Sequence, residues 1–591
     1  VENALYYGDN LAVLRNDIGS ESVDLVYLDP PFNSNASYNV LFHNPGGTAP
    51  GAQIEAFEDT WHWGEPAEDA FDQVMHSGST DAADMLRALR GVLGENDMMA
   101  YLAMMGIRLI ELRRVLKPTG SLYLHCDPTA SHYLKIIMDG IFGPKYFQNE
   151  INWKRTHAHG DSRVHYANVT DTILFYAKGD AKCFDRQMVD YSQAYVDKYY
   201  RYLESTGRRF QLVTLRSPNP RPNLTYTYKG VEPHRNGWAV NLEKMEQLDR
   251  EGRLRFPEKP GQTIREKYFL DEMAGVPVTD LWEDISPVNS QAQERLGYQT
   301  QKPVALLERI IRTSSREGAT VLDPFCGCGT AVHAAQKLGR KWIGIDITHL
   351  AISLIERRLR DAFPGIAFDV HGAPKDIEAA RDLAGRDKYQ FQWWAVSLVN
   401  AQPYGGKKKG ADSGIDGKVF FKPDGKRTEV AIVSVKGGDN VSVAMVRDLR
   451  AVIEREKAPI GLFLTLAEPT DPMKVEAIRA GYYETLWGRH PRLQILTIAE
   501  LLSGKRADMP LVDVGAAFKP VPRETQEAAT LTADLIPDPN LIGPPQRTRR
   551  RSPRGRNMRQ HVLLLPIDGS GQEGSETVPV AAPRPARRRG S

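Results

Sequence analysis

At 591 residues the chain is too long for one hydrophobic core, so two or three domains are expected. With 41% hydrophobic and 25% charged residues its composition is that of ordinary soluble globular protein. The formal net charge of +2 conceals an uneven spread: seven arginines and no acid lie between Arg547 and Arg559, and Arg587, Arg588 and Arg589 stand near the end. Four cysteines, two of them in Cys326-Gly327-Cys328, make no disulfide framework, and no Cys/His cluster has zinc spacing. A reducing cytoplasm is therefore the expected setting. No apolar run approaches a membrane span, and Val1-Glu2-Asn3 begins neither a basic nor an apolar leader, so neither membrane insertion nor export is expected.

From residue 5 to about 152 strands and helices alternate. Leu5-Tyr6-Tyr7 reads as a short strand, Asn10 to Arg15 as the start of a helix, and Val23 to Leu28 as a buried parallel strand. Met98 to Leu116 is a long amphipathic helix closed by Lys117-Pro118-Thr119-Gly120, and Ser121 to His125 is the next strand. Residues of about 153–280 break this periodicity and are rich in aromatic and basic side chains, as in Tyr199-Tyr200-Arg201-Tyr202, Arg208-Arg209 and Tyr226-Thr227-Tyr228-Lys229. Aromatic faces for stacking and arginines for phosphate and guanine place DNA reading in this insertion. The alternation resumes near Gln299, with a helix Val304 to Thr313, a strand at Val321-Leu322, a helix Thr330 to Leu338, a strand Trp342 to Ile345 and a helix Leu350 to Arg360. A further unit, about 385–505, opens with an apolar helix containing Phe391 and Trp393-Trp394 and continues into strands near Val419 and Val430. From about 516 on, Pro, Gly, Arg and Ser dominate, and such a tail cannot bury enough surface to order itself.

Two motifs sit where open α/β sheets bind ligands, at carboxyl ends of strands. The first is Asp29-Pro30-Pro31-Phe32. An exocyclic amine on adenine or cytosine is a poor nucleophile until both its hydrogens are accepted. Here the Asp29 carboxylate suits one and the Pro30 carbonyl the other. Pro30 and Pro31 lack N–H groups and have fixed φ, so that carbonyl is aimed in advance, and Phe32 suits stacking on the base. None of this is reachable inside a duplex, so the target base must be flipped out. The second motif is Asp323-Pro324-Phe325-Cys326-Gly327-Cys328-Gly329. Gly327 and Gly329 let the backbone approach a ligand, and the helix from Thr330 presents free N–H groups. Val332 stands where a dinucleotide fingerprint has its third glycine, and Asp323 suits an ammonium better than a pyrophosphate. S-adenosylmethionine offers both ammonium and carboxylate. Asp346, ending the next strand, suits its ribose hydroxyls, and Asp9 is a candidate for its adenosine or, equally, for a helix cap.

These residues resemble the permuted β class of amino DNA methyltransferases, in which the catalytic motif precedes the cofactor motif and a target-recognition region lies between. Matching segments are Val23 to Phe32, Leu116 to Leu122, Asn149 to Lys154, Gln299 to Pro303, Val321 to Thr330 and Trp342 to Asp346, within residues 5–362. The resemblance implies a Rossmann-like doubly wound α/β sheet in two halves, 1–152 and 281–370, around an insertion at 153–280. It implies S-adenosylmethionine held by Asp9, Gln301, Lys302, Pro303, Asp323, Phe325, Gly327, Gly329, Thr330 and Asp346. It also implies methylation of adenine N6 in double-stranded DNA, since an Asp in the first motif usually accompanies adenine; N4 of cytosine is the alternative. A nucleoid-associated role in a prokaryotic restriction-modification or phage-defence system follows, with a homodimer open.

Residues 385–505 resemble Mrr-type restriction endonuclease domains of the PD-(D/E)xK group, on Gly414-Ile415-Asp416-Gly417 and a strand ending Ser434-Val435-Lys436. The resemblance implies Asp416 as a Mg²⁺ ligand and Lys436 orienting water. Ser434 stands where an acid or Gln is expected, and Glu429 lies on the other strand face. Both cleavage and DNA gripping without cleavage stay open, as does a restriction or DNA-binding protein in which methylation is secondary. The tail, 516–591, is expected to be disordered and basic.

Overall fold

The computed structural model describes residues 2–31, 37–41, 53–58, 62–156, 166–259, 261–289, 292, 294–296, 300–404, 414–424, 427–485, 488–512 and 523–524. The chain divides into two compact units, Val1–Gln526 and Glu527–Ser591. The second unit, and with it nearly all of the expected basic tail, lies outside the described residues.

Nine strands form the central sheet: β1 Ala4–Tyr7, β2 Val23–Leu28, β3 Leu116–Cys126, β4 Phe147–Lys154, β5 Thr170–Ala177, β6 Leu281–Trp282, β7 Thr320–Asp323, β8 Lys341–Asp346 and β9 Asp369–His371. Their spatial order is β6-β4-β5-β3-β2-β7-β8-β1-β9. All neighbours are parallel except β5, which runs antiparallel to both β3 and β4. Alternation along each strand sends side chains to two cores. Val26, Leu28, Leu122, Leu124 and Tyr176 join one, beneath the helix α1 (Asn10–Asn16) and the long α2 (Asp97–Val115). Leu25, Tyr27, Tyr123, Ile173 and Phe175 join the other, beneath α3 (Val304–Ser314), α4 (Thr330–Lys337) and α5 (His349–Ala362). The N-terminal half of the chain thus covers one face and the C-terminal half the other, which makes the sheet doubly wound.

Three sequence expectations are corrected. Thr170–Ala177 falls inside the expected insertion but is a central strand, almost wholly buried. Lys117 to Gly120 does not separate helix from strand; it is a bulge within β3, where Val23 pairs with Leu116 and Leu25 with Ser121. The insertion proper, between β5 and β6, holds a four-stranded antiparallel sheet and its own small core around Trp238, Met245 and Leu248. Two of the tyrosines expected to read DNA are packing residues instead. Tyr200 and Tyr228 are buried, Arg208 is bound by Asp271 and Glu272, and Arg209 pairs with Asp197. Tyr199 remains exposed.

A second α/β layer follows. Helices α6 (Ile377–Arg386) and α7 (Lys388–Ser397) pack on a sheet of β10 Gln402–Pro403, β11 Gly417–Lys422, β12 Glu429–Lys436, β13 Ile460–Thr465 and β14 Leu493–Thr497, in that order, with β15 Leu511–Val512 on β11. This layer begins at α6 and ends with β15, so it is wider than residues 385–505.

Near the ligand end of the first sheet Gly329 caps α4 with φ +76°, and a Cβ there would lie 2.9 Å from Ile355 of α5. Gly329→Ala therefore combines left-handed strain with overpacking, together about 2–4 kcal/mol. The expected outcome is a lower thermal unfolding midpoint for the first sheet, partly restored by Ile355→Val, which relieves only the steric part.

Candidate active site

At the carboxyl ends of β2 and β7 lies a cavity of about 250 Å³. The two strands pair in parallel, Val321 with Leu25 and Leu322 with Val26, so the motifs that follow them are neighbours despite their separation in sequence. Asp29, Pro30 and Pro31 line one side, and Asp323, Phe325, Gly327, Thr330 and Asp346 the other, with Asp9, Asn10, Tyr27, Arg108 and Lys302 between. This is the point at which the winding of the sheet reverses, where such folds bind ligands.

Asp323 is buried and accepts a hydrogen bond from the Phe325 N–H at 3.1 Å. Burial, together with the charges of Asp29 and Asp346, pushes its carboxyl well above the usual range. Asp346 accepts from the Gly327 and Thr348 N–H groups and the Thr348 hydroxyl at 2.8–2.9 Å. Burial outweighs those bonds and raises its pKa to about 6. Gly327, at φ +52°, lets the loop turn tightly enough to donate. Arg358 of α5, itself fully buried, donates to the Cys328 carbonyl at 2.9 Å and sits 3.2 Å from the Thr330 hydroxyl, which fixes the back of the loop. Asp9 caps α1 through the Leu11 N–H and pairs with Arg108, and Asn10 donates to the Pro324 carbonyl at 2.8 Å. Asp9 thus both caps and lines the cavity.

The Lys302 ammonium lies 2.7 Å from Asp29 Oδ2, and both side chains are largely buried. Lys302, expected among the residues that hold the cofactor, lines the cavity and also reaches the residue expected to act on the base. Gln301 faces elsewhere: its amide donates to the Glu294 carbonyl and accepts from the Leu296 N–H, bracing the preceding loop. Pro303 is the N-cap of α3 and does not line the cavity. Gly329 acts through packing, as described. Phe32 lies outside the described residues. Sequence reading missed Arg108, Asn10 and Arg358, which carry no motif and are recognisable only by their contacts.

The donor set fits S-adenosylmethionine. Buried carboxylates are placed for an ammonium and a ribose, unpaired N–H groups at the start of α4 for a carboxylate, and apolar walls at Leu307, Phe325 and Ile347 for an adenine.

The second layer holds a different constellation. Asp416, preceding β11, is buried; its Oδ1 accepts from the Gln392 amide of α7 at 2.8 Å and its Oδ2 from the Val435 N–H at 2.6 Å. Ser434 is buried on β12, and Lys436 ends that strand. Glu429 is held on the far side by the Tyr483 hydroxyl. Among the described residues no three His, Cys, Asp or Glu side chains converge as a metal site. A divalent cation prefers several anionic oxygens. Asp416 is thus already bonded at both oxygens by neutral donors.

Comparison with known proteins agrees with this division. Residues 23–357 match a family model described as DNA methylase, and residues 383–490 one described as restriction endonuclease. The type II methyltransferase M.EcaI of Enterobacter cloacae is 29% identical over 359 residues, covering 60% of this chain and 69% of that protein. The Mod subunit of the type III restriction-modification enzyme StyLTI of Salmonella typhimurium LT2 is 27% identical over 356 residues, and the match spans 57% of this chain but only 50% of the subunit. The DNA adenine methyltransferase YhdJ of Escherichia coli K12 is 26% identical over 359 residues, 60% of this chain and 82% of YhdJ. With more than half of its length matched, the chain belongs to the N6/N4 DNA methylase family and carries a restriction-endonuclease-type domain behind its methylase.

Proposed function

We propose that the chain transfers a methyl group from S-adenosylmethionine to N6 of an adenine flipped out of double-stranded DNA. The observation that carries this reading is the Asp29 carboxylate, held at one oxygen by Lys302 at the mouth of the cavity that also holds Asp323 and Asp346. Lys302 fixes the carboxylate's orientation, and Oδ1 has no hydrogen-bond partner among the described residues. Oδ1 can accept one amino hydrogen while the Pro30 carbonyl accepts the other, so that the nitrogen's lone pair is freed from the ring. Asp323 and Asp346 hold the donor's ammonium and ribose. When bound, S-adenosylmethionine supplies a methyl group on a positively charged sulfur. The Asp in the first motif and the likeness to YhdJ favour adenine over cytosine.

Asp29→Ala is expected to abolish methyl transfer with donor affinity nearly intact, and Asp323→Ala to weaken donor binding first. Calorimetry on both variants checks this, and equal losses would refute the division of labour. Mass spectrometry of digested product DNA should give N6-methyladenine; N4-methylcytosine would overturn the choice of base.

Donor binding should weaken as pH falls below about 6, because Asp346 must be ionised to accept the ribose hydroxyls. The expected slope is about tenfold per pH unit, reduced by one proton in Asp346→Asn. The sign for stability is opposite. A carboxyl raised from 3.8 to about 6 favours the fold most below 3.8, and that contribution is lost as pH rises through about 6.

The second domain, in this reading, does not cleave, because Ser434 places a neutral hydroxyl where an anionic metal ligand is expected. Wild-type protein with Mg²⁺ or Mn²⁺ should leave unmethylated DNA intact. Gln392→Glu with Ser434→Glu should create metal binding that calorimetry detects. Cleavage by the wild type that Asp416→Ala removes would refute this.

A further inference from the structure

One cation beside the cavity has no counter-charge. Arg358 of α5 is 2% exposed, and among the described residues no Asp or Glu lies within ion-pairing distance of it. Its Nε has no hydrogen-bond partner among them either. Glu294 acts on it from a distance, and the Glu294 carboxylate is engaged by the Val304 N–H at the start of α3. The two cations of the cavity wall are both paired, Arg108 with Asp9 and Lys302 with Asp29. A guanidinium does not lose its proton in a protein, so Arg358 keeps its charge although burial works against it. An unpaired buried cation is costly, and apolar side chains of similar volume would fill the same place. The charge therefore calls for an anion that the chain itself does not supply.

The contacts of Arg358 say where that anion belongs. Ile355 and Arg358, three residues apart, present one face of α5 to the loop Asp323 to Gly329. Ile355 packs at Gly329, and Nη1 of Arg358 donates to the Cys328 carbonyl at 2.9 Å and to the Thr330 hydroxyl oxygen at 3.2 Å. Thr330 is 6% exposed and lines the cavity, which Arg358 does not. With its oxygen accepting from a cation, the Thr330 hydroxyl has its one hydrogen left to donate. Cys328 Sγ, 3.5 Å away, is a weak acceptor, so an anion in the cavity takes that hydrogen in preference. No side chain caps α4 at Gly329, and the leading N–H groups of a helix have no partner within it. The hydroxyl, the free N–H groups and the charge of Arg358 thus bear on one spot at the start of α4, where negative charge is favoured. Asp323 and Asp346, in the same cavity, make the opposite environment. The methionine end of the donor carries one carboxylate and one ammonium, and the two environments sort them.

We infer that Arg358 is a positioning residue through which the pocket recognises the carboxylate of S-adenosylmethionine. The inference rests on the donor reading of the cavity. Arg358 does not touch the donor. It polarises the Thr330 O–H toward the carboxylate and draws the negative end of the Cys328 carbonyl away from it. A donor without the carboxylate leaves the buried guanidinium uncompensated and is bound more weakly for that reason.

The test is calorimetric titration of the full chain, without DNA, with S-adenosylmethionine and with decarboxylated S-adenosylmethionine, which lacks only the carboxylate. Wild-type protein is expected to prefer the first by about 100-fold. Arg358→Met, of similar length and uncharged, and Thr330→Val should each reduce that preference about tenfold, with affinity for the decarboxylated compound changed less than about threefold. The double variant should lose little more than either single, because both residues act on one group through one bond. Arg358→Lys keeps the charge, and its preference should fall between those of wild type and Arg358→Met. Equal losses for both compounds in Arg358→Met, or an undiminished preference in Thr330→Val, would overturn the assignment and leave Arg358 a brace for the loop. Wild-type protein that binds both compounds equally refutes the assignment alone. Wild-type protein that binds neither refutes the donor reading of the cavity and the role of Arg358 with it.

Discussion

The parallel pairing of β2 with β7 is the constraint on which the site depends. It joins strands almost three hundred residues apart and brings the carboxylates that follow them, Asp29 and Asp323, to adjacent strand ends. The entropy of closing so long a loop grows only logarithmically with length, so short ties suffice to hold the halves together. They are present at several depths. Asp24 accepts from the Thr320 N–H and from Lys117 near the start of both strands, Tyr123 meets Ser314 across the second core, and Asn10 reaches Pro324 at the ligand end. Lys302 on Asp29 is a further tie, made at the cavity itself. It also offsets the repulsion expected where Asp29 and Asp323 meet at adjacent strand ends.

Much of this arrangement was legible in the chain because it is local. A buried apolar run ending in Asp-Pro-Pro, or in Asp followed by a glycine loop, declares both a strand and its ligand end within ten residues. Errors arose where the information is relational. Thr170–Ala177 is as apolar as any central strand, yet the polar and aromatic residues around it drew it into the insertion. Gln301 and Lys302 are adjacent and both polar, and only the packing of α3 decides that one braces a loop and the other reaches Asp29. The side chains of the insertion looked like a basic, aromatic surface, yet Tyr200 and Tyr228 are buried, which only their contacts reveal. Arg358 gave no signal at all, since a contact between a helix and a loop well before it leaves no spacing in the sequence.

The second domain keeps the α/β framework of a restriction-endonuclease-type domain, with Asp416 bonded by neutral donors at its centre. Asp416 sits where strand and loop bring it to the domain's core, and there its oxygens are shared between a side-chain amide and a backbone N–H. The substitution visible in the sequence, Ser434, removes one anionic ligand. The partner that fills the resulting gap, Gln392, comes from a helix and becomes evident only in three dimensions.

Helix α7 does more than fill that gap. Residues two apart on a helix point to opposite sides, and in α7 Gln392 turns inward to Asp416 while Gln390 turns out to accept the His349 N–H of α5 at 3.0 Å. His349 stands three residues after Asp346, and Tyr7, next to the cavity-lining Gly8, packs into the second domain's core. The joint between the domains is consequently not a linker that recombination can cut freely. A methylase detached from α7 would expose Tyr7 and leave the first turn of α5 short of an acceptor, a defect of about 1 kcal/mol or more beside its own donor pocket. Methylase and nuclease-type domain are therefore packed directly on one another, and a cut between them disturbs the wall of the donor pocket.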